Sequence, residues 1–152
     1  MDVIALSRAG FEHAVAPMGT ALTEEQLELL WRAGPEPVLC FDGDQAGLRA
    51  AYRSIERALP LLKPGYSLRF ALLPEGQDPD DLIRADGPPA MRTVLDNALP
   101  LIDMLWRRER EKEPLSTPEQ KAGFKSRLYA ALDEIEHADV KSLYKTELLA
   151  RF

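Results

Sequence analysis

Two short acidic motifs in this sequence each follow a run of apolar residues. They are Asp42-Gly43-Asp44 and Asp78-Pro79-Asp80. Residues two apart in extended backbone project to the same side, so each motif can present two carboxylates together. Mg²⁺ is often held by one or two carboxylates, with water and substrate phosphates completing its ligands. Four carboxylates brought together would repel one another unless a cation lay between them, so metal-dependent chemistry on phosphates is the first hypothesis.

The same residues also fit a structural role. Asp-Gly is a turn signal, and Asp44 could cap a helix that begins at Gln45. Asp80 could likewise cap a helix that runs through Leu82 and Ile83. Both interpretations stay open for each motif alone. The occurrence of two such motifs, each at the end of a predicted strand, favours the cation site.

The elements around the motifs predict an α/β fold. Residues 37–41 and 67–73 are apolar runs of strand length, typical of strands covered on both faces of a parallel sheet. A helix is predicted over residues 45–62 between them. These elements together predict a mainly parallel sheet flanked by helices. Such sheets bind ligands at the carboxyl ends of their strands. Additional predicted elements are a helix over residues 1–9, a strand over 11–16 and a helix that begins at Thr23.

The last third of the chain is predicted to be helical. Helices are expected over residues 101–113, from Thr117 to about His137, and from about Asp139 to the end. The predicted division is therefore an α/β domain over residues 1–98 and an all-helical subdomain over residues 99–152. The mixed-sign run over residues 107–112 is interpreted as a solvated helix end.

Composition limits the class of protein. The 152 residues carry a formal net charge of -6, which argues against a strong, sequence-independent grip on nucleic acid by this chain alone. Cys40 is the single cysteine and lies in an apolar run, which predicts a core thiol in a reduced, cytoplasmic setting. The sequence has no apolar stretch long enough for a membrane span and no basic leader, so no membrane association is expected.

A few other residues are weaker candidates for function. Those for contact with nucleotide or template are Gly19, Thr20, Arg49 and Arg53. The amides of Gly19 and Thr20 precede a predicted helix, where a phosphate could bind. Arg49 and Arg53 lie one turn apart on the predicted helix after Asp44. An ordinary turn and a solvated helix face are the alternatives. His13 and His137 lack metal-ligand spacing.

In their order along the chain, the motifs resemble the Toprim domain of bacterial DnaG-type primases. The segments that carry the resemblance are residues 1–6, 19–23, 41–47 and 73–80. It extends from Met1 to about Asn97, and Ser116-Thr117-Pro118 resembles the helical subdomain of the family. The resemblance implies a Toprim fold, here truncated and lacking its first strand, with Mg²⁺ or Mn²⁺ as cofactor.

The resemblance also implies roles for individual residues. Asp42, Asp44 and Asp78 match the metal-binding carboxylates of the family, and Asp80 and Asp2 match further active-site acids. The metal set is thus Asp42, Asp44, Asp78 and Asp80, and the catalytic set is Asp42, Asp44 and Asp2. The family makes short RNA primers on single-stranded DNA from ribonucleoside triphosphates. Its zinc-binding domain and its helicase-binding domain have no counterpart in this sequence.

One departure from the family bears on activity. The family has a Glu-Gly-Tyr sequence immediately before the Met-Asp-Val that opens this chain, and that glutamate is regarded as a main catalytic acid. We therefore expect a fragment of a nucleotidyltransferase that has little or no polymerase activity alone. Loss of the strand that carries the glutamate would expose a sheet edge and favour self-association.

Two alternatives stay open. The first is another Toprim enzyme, a topoisomerase or nuclease, although none of the four tyrosines, Tyr52, Tyr66, Tyr129 and Tyr144, has an obvious nucleophilic setting. The second is a non-catalytic interaction module.

Overall fold

A sheet forms the centre of the structure, a computed structural model that describes residues 14–15 and 23–151. Its strands within these residues are β1 (Ala14–Val15), β2 (Val38–Phe41), β3 (Arg69–Leu72) and β4 (Leu99–Pro100). They lie side by side in that order. β2 pairs in parallel with both β1 and β3, whereas β4 runs antiparallel to β3. The predicted mainly parallel sheet is confirmed; the predicted helix over residues 1–9 lies outside the described residues.

Helices cover both faces of the sheet. In the described part of the chain they are α1 (Glu24–Ala33), α2 (Gln45–Ala58), α3 (Pro79–Asp86), α4 (Pro88–Asp96), α5 (Leu101–Arg110), α6 (Pro118–Leu132) and α7 (Ala138–Leu149). Neither α4 nor β4 was predicted. A two-residue strand that ends in proline has no apolar run to reveal it, so only its pairing with β3 defines it. Within these residues, no helix combines the length and apolar character that a bilayer span requires.

Two predicted helices end earlier than expected. The helix from Gln45 stops at Ala58, and a 3₁₀ turn over Leu59–Leu61 replaces the predicted last turn. Pro60 lies within that turn and lacks the N–H group that an α-helix would need there. The second of these helices begins at Leu101 and ends at Arg110, whereas the sequence predicted an end at residue 113.

The helix predicted from Thr117 to about His137 is also too long. It ends at Leu132, whose carbonyl accepts the N–H of Ile135 in a tight turn. His137 instead begins the next helix, because its Nδ1 accepts the backbone N–H of Val140 at 3.4 Å. A histidine cap is a weak sequence signal, whereas Thr117 and Gln120 form the capping box that their spacing predicts.

The sheet separates two apolar layers. Leu39 and Phe70 face the larger layer, which α1, α2, α5, α6 and α7 cover, and Ile55, Leu105 and Phe124 lie within it. Cys40 and Ala71 belong to a smaller layer on α3 and α4. Successive side chains along β2 and β3 therefore point alternately into the two layers. Helices on both sides of residue 98 contribute to the larger layer. The domain boundary near residue 98 stays a prediction.

Candidate active site

The first acidic motif leaves β2 at the carboxyl edge of the sheet. Asp42 is exposed there directly after the strand. Asp44 is the N-cap of α2, since its Oδ1 accepts the backbone N–H of Gly47 at 2.6 Å. The helix-capping role that the sequence allowed for Asp44 is therefore real, and it leaves the other carboxylate oxygen of Asp44 outside the cap.

The second acidic motif leaves β3 at the same edge. Asp78 is the N-cap of α3 and accepts the N–H of Asp81 at 2.8 Å, while the Asp81 carboxylate accepts the N–H of Asp78 at 3.3 Å. The prediction that Asp80 would be the cap is wrong. Pro79 is the first helical residue, a position that its fixed φ favours, so the cap falls one residue before it. Asp80 forms an ion pair with Arg84 one turn along α3.

Backbone hydrogen bonds join the two acidic loops. The N–H of Gly43 donates to the carbonyl of Gln77 at 3.0 Å, and the N–H of Gly76 donates to the carbonyl of Gly43 at 2.8 Å. A Cβ atom at position 43 would lie 1.9 Å from the Pro74 carbonyl oxygen. Only glycine at position 43 therefore allows the loops to approach this closely. The predicted proximity of the two motifs is realised in this way.

The electrostatics of the edge centre on Asp42. Its pKa lies above the ordinary value, first because neighbouring atoms partly desolvate the otherwise exposed carboxyl, and then because Asp78, Asp44 and Asp81 bring negative charge near it. A proton on Asp42 relieves this repulsion, and a bound cation would do the same. The geometry therefore creates a region that attracts positive charge.

The side chains fit a partial ligand set for a divalent cation. No group of three or more aspartate, glutamate, histidine or cysteine side chains within residues 23–151 converges in the arrangement of a complete metal site. The carboxylates of Asp42, Asp44 and Asp78 offer hard oxygen donors at one edge, which suits a Mg²⁺ ion that keeps water and phosphate ligands. Their role as metal ligands stays a prediction, and Asp2 lies outside the described residues.

A cleft of about 500 Å³ opens beside the first motif. Asp42, Asp44 and Glu75 line it, and Arg107 of α5 contributes a cation to its wall. The sequence does not single out Arg107, because the mixed-sign run over residues 107–112 predicts a solvated helix end. That interpretation is also wrong for Glu109, which is 2% exposed. The available signal was an i,i+4 pairing of Arg107 with Glu111, which is common on helix surfaces.

Two other sequence candidates, Arg49 and Arg53, are exposed on α2 and do not line this cleft. Gly19 and Thr20 lie outside the described residues. Cys40 is a buried free thiol, as predicted.

The sequence of this chain is similar to those of known proteins. A model of the Toprim domain matches residues 1–71. The DNA primase of Rickettsia felis is 41% identical over 143 residues, which cover 94% of this chain and 24% of that protein. The DNA primase of Escherichia coli (strain K12) is 36% identical over 148 residues, which cover 97% of this chain and 26% of that protein. The chain thus spans about a quarter of the length of these curated relatives.

Solved structures agree with the sequence matches. A DNA primase domain from Pseudomonas aeruginosa has a TM-score of 0.87 at 40% identity, over 97% of this chain and 46% of that one. The DnaG catalytic core has a TM-score of 0.86 at 36% identity, over 97% of this chain and 48% of that one. A DnaG primase catalytic domain bound to single-stranded DNA has a TM-score of 0.84 at 36% identity, over 97% of this chain and 48% of that one. Over this part of their length, the chain is a homologue of bacterial DnaG-type DNA primases, and it has the Toprim fold of their catalytic core.

Proposed function

We propose that this chain supplies the metal-binding part of a nucleotidyl-transfer site in a primase that makes short RNA primers. The template would be single-stranded DNA and the substrates ribonucleoside triphosphates. The observation that carries the proposal is the junction of two aspartate-bearing loops at one edge of the sheet, in a homologue of the DnaG catalytic core. The relatives described above are all primases, which favours this activity over that of a topoisomerase or nuclease.

Asp42 is the leading candidate for a direct metal ligand. Within the described residues its carboxylate accepts no hydrogen bond, whereas Asp44 and Asp78 each commit one oxygen to a helix cap. The caps hold those two carboxylates in fixed orientations beside Asp42. Mg²⁺ or Mn²⁺, when bound, would neutralise charge that develops on the triphosphate and align it with the attacking hydroxyl. Asp80 would serve less directly, since it already pairs with Arg84.

Manganese binding tests the proposal directly. Mn²⁺ titrated into the chain and followed by electron paramagnetic resonance should bind the wild type, and anomalous diffraction should locate it beside Asp42. Asp42→Asn keeps the side-chain shape and should weaken the affinity by at least about tenfold. Asp96→Asn removes the same charge from an exposed position on α4 and is the matched control. Equal affinities in all three proteins would refute the metal site.

The activity of the isolated chain is a separate question. The expectation that these 152 residues alone have little or no primer-synthesis activity stays a prediction. A single-stranded template, labelled ribonucleotides and Mn²⁺ suffice for the assay, and robust primer synthesis by the chain would contradict the expectation. The replicative helicase and the bacterial cytoplasm stay the proposed partner and setting, and self-association of the chain is open to light scattering.

A further inference from the structure

Arg107 occupies an unusual place beside the acidic loops. It belongs to α5, on the opposite side of the boundary near residue 98 from those loops, yet it lines the same cleft as Asp42, Asp44 and Glu75. Among the described residues that line this cleft, it alone is cationic. No ion pair joins Asp42 to Arg107 in the described part of the chain, where Arg107 pairs with Glu111 instead. The cation and the acids therefore border one cleft without neutralising each other directly.

A hydrogen-bonded network holds Arg107 in this position. Its Nε–H donates to Glu111 Oε1 at 2.8 Å, and the hydroxyl of Tyr52 donates to Glu111 Oε2 at 2.6 Å. Burial alone would raise the pKa of Glu111, but the hydrogen bonds from Arg107 and Tyr52 together lower it, so the carboxylate stays charged. Burial and the bond to Glu111 raise the pKa of Tyr52, so its hydroxyl stays a donor. Glu111 thus links α5 to α2.

The guanidinium retains donors for a ligand. Within residues 23–151, Nε–H is the group of Arg107 that donates to the protein. An arginine presents five N–H donors in a planar fork that matches phosphate oxygens. Its side chain is 41% exposed, so the remaining donors are accessible.

We propose that Arg107 binds phosphate oxygens of a triphosphate held in this cleft, and that Glu111 and Tyr52 position its guanidinium. The inference rests on the proposed function, because the acidic side of the cleft repels a polyphosphate until a divalent cation is bound there. With the cation in place, the ligand lies between positive charge on both walls. Arg107 is then a substrate-contacting residue that α5 contributes to the site.

Binding of inorganic tripolyphosphate tests the inference without any need for catalysis. The manganese complex of tripolyphosphate is titrated into the chain by calorimetry. Arg107→Ala should weaken binding by about tenfold, and Arg107→Lys by less, because an ammonium keeps the charge but loses the fork. Arg110→Ala is the matched control, since it removes an exposed arginine from the same helix, and it should change the affinity by less than about twofold.

A second variant separates positioning from a merely structural role. Tyr52→Phe removes one hydroxyl and should weaken binding of the tripolyphosphate complex by a few-fold, while the affinity for Mn²⁺ alone is unchanged. Unchanged tripolyphosphate binding in Arg107→Ala would overturn the inference. So would a wild type that binds Mn²⁺ through Asp42 but has no affinity for the complex. Absence of Mn²⁺ binding to the wild type would instead refute the proposed function, and the inference with it.

Discussion

Gly47 lies where a side chain would collide with the backbone that carries Asp42. A Cβ atom at this position would lie 2.1 Å from the Asp42 carbonyl oxygen. Gly47→Ala should therefore lower the free energy of unfolding by roughly 1–3 kcal/mol, although alanine is ordinarily the better helix former. Chemical denaturation measures the change. Gly34→Ala is the control, because no atom lies within 4 Å of its added Cβ. Equal stability of the two variants would contradict the steric argument.

Burial of the Cys40 thiol makes the free energy of unfolding depend on pH. Burial raises the pKa of its thiol from 9.0 to about 12. Between these values the unfolded chain loses the thiol proton and the folded chain keeps it, so the free energy of unfolding falls as the pH rises. The slope approaches about 1.4 kcal/mol per pH unit. Denaturation of the wild type and of Cys40→Ala at pH 9 and pH 10.5 isolates this contribution. Parallel pH profiles of the two proteins would show that the thiol ionises freely in the folded state.

The acidic residues of the site could be predicted from sequence, but the cation beside them could not. The Asp-x-Asp spacing and the strand before each motif are local signals, and they correctly predicted that the two loops meet. The choice between Asp78 and Asp80 as helix cap depends on Pro79, whose preference for the first helical position outweighs the capping tendency of Asp80. Arg107 approaches the loops only through the packing of α5 on α2.

Elements with local signals were likewise predictable, whereas those defined by partners were not. The capping boxes at Thr23 and Thr117 follow from side chains three residues apart, and both form. β4 exists because its backbone pairs with β3, which no pattern over residues 99–100 reveals. The buried position of Glu109 has no local signal either, because its partner Arg127 belongs to α6, which begins at residue 118.

Glu109 joins α5 to α6 through a buried ion network. Its carboxylate lies 2.9 Å from Arg108 and Lys112 and 3.4 Å from Arg127 of α6. Glu109→Gln leaves these cations without their shared counter-charge. We expect the free energy of unfolding to fall by about 2–3 kcal/mol, slightly less than for a fully buried pair because Lys112 is half exposed. Urea denaturation measures the change.

Glu56→Gln is the matched control for Glu109. The Glu56 side chain is 69% exposed and lies 3.8 Å from Arg108. Its loss should change the free energy of unfolding by less than about 0.5 kcal/mol. A similar loss of stability in both variants would mean that net charge, and not the buried network, sets the effect.

At the scale of the whole molecule, one apolar layer spans the proposed boundary between the α/β part and the helical part. Ile55 of α2, Leu105 of α5 and Phe124 of α6 all belong to it. The sequence predicted two units because composition shifts near residue 100, but composition does not report which faces pack together. A shared core couples the stability of its members, so separate unfolding of the two parts is disfavoured.

The two tryptophans provide a probe on each side of that boundary. Trp31 of α1 donates from Nε1 to the Ser67 carbonyl at 2.9 Å, and Trp106 of α5 packs edge-on against Phe124, with ring centroids 4.7 Å apart. In Trp106→Phe the fluorescence reports on the sheet side, and in Trp31→Phe it reports on the helical side. In each variant the urea midpoint by fluorescence should coincide with the midpoint by circular dichroism, because one core unfolds as one unit. Midpoints that differ by more than about 0.5 M within a variant would support the predicted two-unit division near residue 98.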